Sequence, residues 1–233
     1  MKYYFVFSDI HGNLKSLVDA LEKKGFDLEN PDHILLSLGD NFDRGIENKD
    51  VLGFLRYFQK QNRLIMIRGN HDDFLLDFLK GVSDGIFNIK YNGLGNTLRE
   101  LSDSNANTIE LMRDSINQRY PWLIGFLESM IPKFELGNYE FIHAGYTFDN
   151  VNGWYIYNFA ETPYFIKNFD PKDKTYVFGH FHVQPLNYYE LGIESSEPFR
   201  KKGFIGIDAK TIITKIVNVL VFSEDGIELK EGL

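Results

Sequence analysis

Residues 33–45 read His-Ile-Leu-Leu-Ser-Leu-Gly-Asp-Asn-Phe-Asp-Arg-Gly. The apolar run over 33–38 predicts a buried β-strand, and the polar residues that follow it come at the carboxyl end of that strand. In open α/β sheets, sites lie beyond the carboxyl ends of the strands. Asp40 and Asp43 are therefore candidates for a functional site.

Four other predicted strands end in the same way. Each is a short apolar or aromatic run followed by a residue that can bind a metal ion. Helical spacing of apolar residues fills the intervals between the first three strands, which favours an α/β layered fold. The strands and the residues after them are 3–7 with Asp9, 33–38 with Asp40, 64–67 with Asn70, 140–142 with His143, and 175–178 with His180.

The pattern changes between residues 83 and 131. Glycines and a polar stretch break this part into helical fragments, which predicts a helical or irregular insertion over the active-site face of a single domain spanning 1–233. The tail is predicted as antiparallel strands joined by turns. The strands are expected at 204–208, 212–222 and 227–229, and the turns at 209–210 and 225–226.

The composition excludes several classes of protein. The 233 residues carry 33 acidic and 25 basic side chains, a net charge of −8, so we expect no nucleic-acid binding. The chain has no cysteine, which excludes disulfides, thiolate metal sites and cysteine nucleophiles. No apolar window is long enough for a membrane span or a signal peptide. We expect a cytoplasmic protein that does not bind membranes.

The histidines favour a metal centre. Five of the six lie in the polar segments after predicted strands, beside aspartate and asparagine, and His33 alone lies outside them. One such histidine is more often structural, but five together at strand ends make a purely structural role improbable. Oxygen and imidazole ligands without sulfur suit Mn²⁺, Fe or Zn²⁺. A shared carboxylate can hold two ions roughly 3.5–4 Å apart.

Five ordered motifs resemble the metallophosphoesterase (calcineurin-like phosphoesterase) superfamily. Within it, the second and third motifs resemble the PPP-type serine/threonine phosphatases and the symmetrical diadenosine tetraphosphatases. A segment over 91–98 also resembles bacterial PPP-like enzymes. The resemblance implies a four-layer αββα sandwich. The motifs are Asp9-x-His11, Gly39-Asp40-x-x-Asp43-Arg44-Gly45, Arg68-Gly69-Asn70-His71-Asp72, His143-Ala144-Gly145 and Gly179-His180-x-His182.

The resemblance also implies two divalent metal ions, Mn²⁺ first, with Fe, Zn²⁺ or Ni²⁺ as alternatives. Carried over residue by residue, it assigns Asp9, His11 and His182 to the first ion. Asp40 would bridge both ions. Asn70, His143 and His180 would complete the second site.

The same resemblance assigns the chemistry. A metal-bridging hydroxide would attack phosphorus in line, and His71 would protonate the leaving oxygen, with Asp43 orienting the imidazole. Arg44 would bind phosphate oxygens. An ion pair between Asp43 and Arg44 that caps the loop is the alternative. Asn92 is a further substrate-binding candidate, although it could instead terminate a helix.

Two departures from the PPP pattern bear on the substrate. The segment over 152–158 carries no second phosphate-binding arginine, and this chain has Gly179-His180-Phe181-His182 where PPP enzymes usually have Gly-His-Thr. We expect a PPP-like phosphomonoesterase, acting on a phosphoprotein, nucleotide or small phosphoester. The alternatives are a phosphodiesterase or dinucleoside polyphosphate hydrolase and a non-catalytic phosphate-binding scaffold. The oligomeric state is left open.

Overall fold

The computed structural model describes residues 1–151, 153–159 and 162–233. Within these residues the chain forms a four-stranded sheet, a five-stranded sheet and a two-stranded ribbon, with helices around them. The strands are β1 Tyr3–Phe7, β2 His33–Ser37, β3 Leu64–Met66, β4 Lys133–Leu136, β5 Tyr139–Ile142, β6 Gly145–Asp149, β7 Gly153–Tyr157, β8 Thr175–His182, β9 Phe199–Lys201, β10 Phe204–Asp208 and β11 Leu220–Ser223. The α-helices are α1 Leu14–Lys23, α2 Asn48–Lys60, α3 Asn70–Leu79, α4 Ile86–Tyr91, α5 Leu94–Leu101, α6 Ile109–Arg119, α7 Leu123–Glu128, α8 Thr162–Asn168, α9 Val183–Leu186 and α10 Thr211–Thr214, and a π-helical turn follows α9 at Asn187–Leu191.

Both sheets are mixed. The first has the order β11-β1-β2-β3, with β1, β2 and β3 parallel and β11 antiparallel to β1. The second has the order β4-β5-β8-β10-β9, with the three central strands parallel. Parallel strands buried on both faces account for the continuous apolar runs in the sequence.

Three apolar clusters separate the layers. One lies between the first sheet and its helices, a second lies between the two sheets, and a third lies between the second sheet and the helices α8 and α9. In the second cluster, Val6 and Leu36 of the first sheet pack with Phe141 and Val177 of the other. The α/β sandwich of two sheets flanked by helices is therefore confirmed.

The helices α4 to α7 occupy the segment 83–131. Their apolar side chains join the first cluster, so this segment packs on the same core as the first sheet. Gly95 lies inside α5 and does not end a helix there. The division into one domain with an insertion stays a prediction. No helix in the described part of the chain is both long and apolar enough to cross a membrane.

Two predictions of local structure were wrong. The strand expected at 212–222 begins as the helix α10, because Lys210 and Lys215 at its ends adopt left-handed backbone conformations that interrupt an extended run. Only β11 is a strand, and it pairs with β1 instead of β10. The strand expected at 227–229 is reduced to one bridge, between Phe222 and Glu228.

Candidate active site

The candidate site lies where loops from both sheets meet. The Asp9 N–H donates to the Gly39 carbonyl at 3.1 Å, which joins the loops after β1 and β2. The His180 N–H, on β8 of the second sheet, donates to the Asp9 carboxylate at 2.8 Å. The carboxyl ends of parallel strands from two sheets thus share one polar centre, as expected of an α/β architecture.

The backbone at this centre is strained. Several candidate residues have positive φ, a conformation that costs non-glycine residues of order 1–3 kcal/mol and that collects at functional sites. Gly39 has a φ of +100°, and a Cβ there would meet the Gly69 nitrogen at 2.6 Å. Glycine is needed because the two loops approach each other through their backbones. The strained residues are Asp9, His11, Asp40, Asp43, Arg44 and His180.

Asp40 is the centre of the cluster. Its Oδ1 accepts from the His71 N–H at 2.9 Å and lies 3.5 Å from His143 Nε2. Its Oδ2 lies 3.8 Å from His11 Nε2 and 4.0 Å from His71 Nε2. Asp40 belongs to both groups of side chains that could hold a metal ion, one with His11 and His71 and the other with His143 and His180.

The imidazoles are oriented by backbone carbonyls and a carboxylate. Nδ1 of His143 lies 2.7 Å from the Leu38 carbonyl, and Nδ1 of His11 lies 2.9 Å from the Phe42 carbonyl. A carbonyl only accepts, so Nδ1 carries the proton and each Nε2 presents a lone pair to the centre. This is the usual way in which a protein fixes the tautomer of a metal-binding histidine.

Asn70 and His143 supply an independent test of whether a cation fits. The Asn70 Oδ1 lies 3.1 Å from His143 Nε2. Because His143 Nδ1 carries the ring proton, both of these atoms are acceptors and neither can donate to the other. A cation that accepts both lone pairs satisfies this arrangement.

The effect of burial on the pKa values of these side chains also favours a bound cation. Burial raises the pKa of Asp40 well above the ordinary value, and the neighbouring Asp9 raises it further. It likewise raises the pKa of Asp9 and lowers the pKa of His11 and His143. A bound dication would reverse this by stabilising ionised carboxylates and neutral imidazoles. The residues present therefore fit a metal centre.

Not all of the predicted ligands fall in the two groups. The Asp9 carboxylate accepts from the Ser8 hydroxyl and from the His180 N–H. His182 Nδ1 lies 2.9 Å from the Asp208 carboxylate. Neither Asp9 nor His182 belongs to the metal-binding groups found among the described residues, whereas His71 does. The assignment of individual ligands stays a prediction.

A hydrogen-bonded chain joins Asp43, His71 and Arg44. The Asp43 Oδ2 lies 2.8 Å from His71 Nδ1, and Arg44 Nη2 lies 3.1 Å from His71 Nε2. Burial raises the pKa of Asp43 to about 7, and burial together with the Arg44 charge lowers the pKa of His71 to about 3. The imidazole is therefore neutral at pH 7, with Nδ1–H donating to Asp43 and Nε2 accepting from Arg44.

The segment 83–131 contributes to this chain. The Thr97 hydroxyl donates to Asp43 Oδ1 at 2.6 Å, and the Asn96 amide donates to the Arg44 carbonyl at 2.7 Å. Asn92 ends α4, and its amide donates to Asn88 at 2.7 Å. Its substrate-binding role stays a prediction.

Asp72 was not among the predicted site residues. Its carboxylate accepts from the N–H groups of Gly69 and Asp40, both at 3.0 Å. It therefore ties the start of α3 to the loop that carries Asp40. It also satisfies a free N–H at the start of α3, which begins at Asn70.

A family model that covers most of the chain shows which family it belongs to. The model of calcineurin-like phosphoesterases matches residues 4–207. This chain belongs to the calcineurin-like phosphoesterase family. Its His and Asp clusters are consistent with a dinuclear metal site.

Curated relatives are distant. The chain is 26% identical over 158 residues to the asymmetrical bis(5'-nucleosyl)-tetraphosphatase PrpE of Bacillus velezensis, across 64% of this chain and 58% of the relative. It is 32% identical over 87 residues to a serine/threonine-protein phosphatase of Caenorhabditis elegans, across 36% of this chain and 18% of the relative. The aligned part is thus less than two thirds of either relative.

Solved structures show the same fold. A candidate diadenosine tetraphosphatase superposes with a TM-score of 0.63 at 18% identity, over 98% of this chain and 92% of the other. A cold-active protein-tyrosine phosphatase of a Shewanella species gives 0.60 at 18% identity, over 98% and 80%.

Proposed function

We propose that this chain hydrolyses phosphate monoesters at a dinuclear metal centre, in the manner of PPP-type phosphatases, with His71 as the proton donor to the leaving oxygen. The observation that carries the proposal is the chain of hydrogen bonds from Asp43 through His71 to Arg44. It places one imidazole between a carboxylate that orients it and a guanidinium that can bind phosphate.

The metal ions would be held by the predicted ligands around the shared Asp40. When bound, they would supply Lewis acidity and lower the pKa of a coordinated water. Mn²⁺ is our first choice on the family resemblance, and the oxygen and nitrogen ligands suit Mn²⁺, Fe and Zn²⁺ alike. The predicted ligands are Asp9, His11, Asp40, Asn70, His143, His180 and His182.

Arg44 explains how His71 can act as an acid although its pKa is lowered to about 3. The Arg44 guanidinium contributes to that lowering and donates to Nε2 in the substrate-free site. A phosphate dianion that draws Arg44 to itself would free Nε2 and add negative charge beside the ring. Both changes favour the imidazolium, so His71 would be protonated when substrate is bound.

A second candidate is hydrolysis of a phosphodiester, or of a dinucleoside polyphosphate or other nucleotide. A monoester dianion needs more positive charge than a diester, and the β7 segment supplies no second arginine. Arg113 and Arg119 are already engaged elsewhere, because Arg113 donates to the Phe78 carbonyl and Arg119 donates to the Ser102 carbonyl. The name of the Bacillus velezensis relative also supports nucleotide chemistry.

The test is turnover of p-nitrophenyl phosphate and bis-p-nitrophenyl phosphate with added Mn²⁺, with Fe²⁺, Zn²⁺ and Ni²⁺ in parallel. Faster turnover of the monoester supports the first candidate, and faster turnover of the diester supports the second. No turnover of either ester with any of the four metals would contradict both.

His71→Asn tests the proton donor within the same assay. We expect the variant to retain both metals and to lose roughly 10²–10⁴ in rate, the usual effect of removing a general acid. The loss should be smallest for leaving groups of low pKa, which need little protonation. Loss of a metal from the variant, measured by elemental analysis, would instead make His71 a ligand, as its position near His11 and Asp40 also allows.

A further inference from the structure

A cleft of about 480 Å³ opens along α3, the helix whose first turn carries the predicted proton donor. One wall comes from Asp73 of α3 and from Arg68, two residues before that helix, and the other from the end of β7 and the two residues after it. The side chains that line it include Arg68, Asp73, Ile156, Tyr157, Asn158 and Phe159. None of them was predicted as a site residue.

A row of aromatic rings leads from the imidazole to this cleft. The ring centroid of His71 lies 5.1 Å from that of Phe74, which lies 6.0 Å from that of Phe159. Phe159 in turn lies 5.6 Å from Tyr157. Phe159 and Tyr157 are 43% and 45% exposed, so both keep open ring surface on which a planar group could stack.

The polar groups of the cleft are only loosely paired. The Asn158 amide donates to Asp73 Oδ2 at 3.4 Å, and Arg68 Nε lies 3.6 Å from Asp73 Oδ1. Arg68 Nε is buried and has no hydrogen-bond partner, although Nη2 of the same side chain donates to the carbonyls of Glu128 and Met130. A buried donor without a partner is uncommon in a folded protein.

We propose that this cleft is the subsite for the leaving group and that it binds the base of a nucleotide. The base would stack on Tyr157 and Phe159, and its hydrogen-bonding edge would pair with Asp73 and Asn158. An asparagine amide can pair in bidentate fashion with adenine. The inference rests on the proposed function in one respect, that His71 marks the leaving-group side.

The phenol ring of a phosphotyrosine is the other planar leaving group to consider. It could reach the same rings, but it carries no donor or acceptor besides the ester oxygen. Asp73 and Asn158 would then lose water without gaining a partner, which is unfavourable for polar groups that a ligand covers. The polar wall of the cleft therefore favours a nucleobase.

The test compares the binding of three probes, AMP, ribose 5-phosphate and phenyl phosphate, to the metal-free protein by calorimetry. Ribose 5-phosphate shares the sugar and phosphate of AMP and lacks the base. We expect AMP to bind roughly 5- to 150-fold more tightly than ribose 5-phosphate, the effect of stacking one base on an aromatic side chain. Tyr157→Leu and Phe159→Leu should each reduce this ratio, and Asn158→Ala should weaken AMP without affecting phenyl phosphate.

Phe148→Leu is the matched control. Phe148 lies on the same ribbon of β6 and β7, is 45% exposed and does not line the cleft, so its substitution should leave the ratio unchanged. Equal affinity for AMP and ribose 5-phosphate in the wild type would overturn the proposal. Phenyl phosphate binding as tightly as AMP would overturn it too and assign the cleft to an aryl ester. Because no turnover is measured, failure of the proposed hydrolysis would be seen separately, with p-nitrophenyl phosphate.

Discussion

Thr97 holds the carboxylate that orients the predicted proton donor. Its hydroxyl donates to Asp43 and also accepts from the Asp43 N–H at 3.0 Å. Burial raises the pKa of Asp43 to about 7, and the hydrogen bond from Thr97 keeps it from rising further. Thr97→Val should therefore raise the pKa of Asp43, and since the ionised form holds His71, activity should be lost at a higher pH as the solution is acidified.

The measurement is the pH profile of kcat/KM. One hydrogen bond to a charged group corresponds to a displacement of the acid limb by about one pH unit. Thr97→Ser keeps the hydroxyl and should restore the wild-type profile, which a merely structural role of the methyl group would not do. Superimposable profiles for the valine and serine variants would contradict a positioning role for Thr97.

Asp40 offers a second test at the scale of one residue. Asp40→Asn keeps the acceptor for the His71 N–H but removes the negative charge that faces both groups of ligands. We expect the variant to lose most of its bound metal, measured by elemental analysis. Asp19→Asn, an exposed carboxylate on α1 paired with Lys15, is the control and should keep full occupancy. Wild-type metal content in Asp40→Asn would show that Asp40 does not bridge.

The sequence placed many of these residues and missed others for a physical reason. A strand end is visible as a change from apolar to polar residues, so the convergence of Asp9, Asp40 and His143 could be expected. Thr97 and Asp72 carry no such signal. Thr97 donates to Asp43, which is distant in the sequence, and Asp72 accepts from backbone N–H groups, which the side-chain pattern does not report. The individual metal and catalytic roles stay predictions.

At the scale of elements, β4, β5 and the start of β8 share a buried carboxylate. Glu140 is 2% exposed and pairs with Lys174 at 2.9 Å and Lys133 at 3.2 Å, and it also accepts from the Tyr146 hydroxyl. Glu140→Gln should lower the free energy of unfolding by about 1–3 kcal/mol, since these hydrogen bonds lose their ionised acceptor.

Denaturant unfolding would measure this loss. Glu135→Gln is the matched control, because Glu135 pairs with the same two lysines but its side chain is 48% exposed. An exposed pair contributes little, so the control should change stability by less than about 1 kcal/mol. Equal losses in the two variants would show that the loss in free energy of unfolding does not depend on the burial of Glu140.

Elements are also where the sequence was least informative. Apolar residues over 212–222 fit a strand by composition, but periodicity does not report the left-handed conformation of Lys210 and Lys215. Nor does it report which sheet a strand will join. β11 pairs with β1 of the first sheet, and α10 lies in the chain between β11 and β10 of the second sheet.

At the scale of the whole molecule, the metal centre should govern stability. Burial raises the pKa values of Asp9 and Asp40, so ionising these carboxyl groups costs free energy in the metal-free protein. Ligands that bind only the folded state add about 2.7 kcal/mol at a free concentration 100 times Kd. Chelation should therefore lower the thermal midpoint by several degrees, at roughly 2–4 °C per kcal/mol.

Asp40→Asn completes that experiment. Its midpoint should not respond to a chelator and should lie above that of chelated wild type, because a neutral amide replaces a carboxyl that is costly to bury. Thermal unfolding with and without chelator measures both. A wild-type midpoint that is indifferent to chelation would contradict a centre that binds metal in the folded state.

The pairing of β1 with β11 has a consequence for folding during synthesis on the ribosome. Tyr3 lies opposite Ser223, so β1 must wait for a strand that is synthesised 220 residues later. Synthesis proceeds at roughly 5–20 residues per second, which leaves this edge of β1 open for some ten seconds or more. An open strand edge can pair with other chains. Nascent chains arrested before residue 220 should accordingly be digested by protease faster than the released protein, and equal resistance would show that β1 is protected in another way.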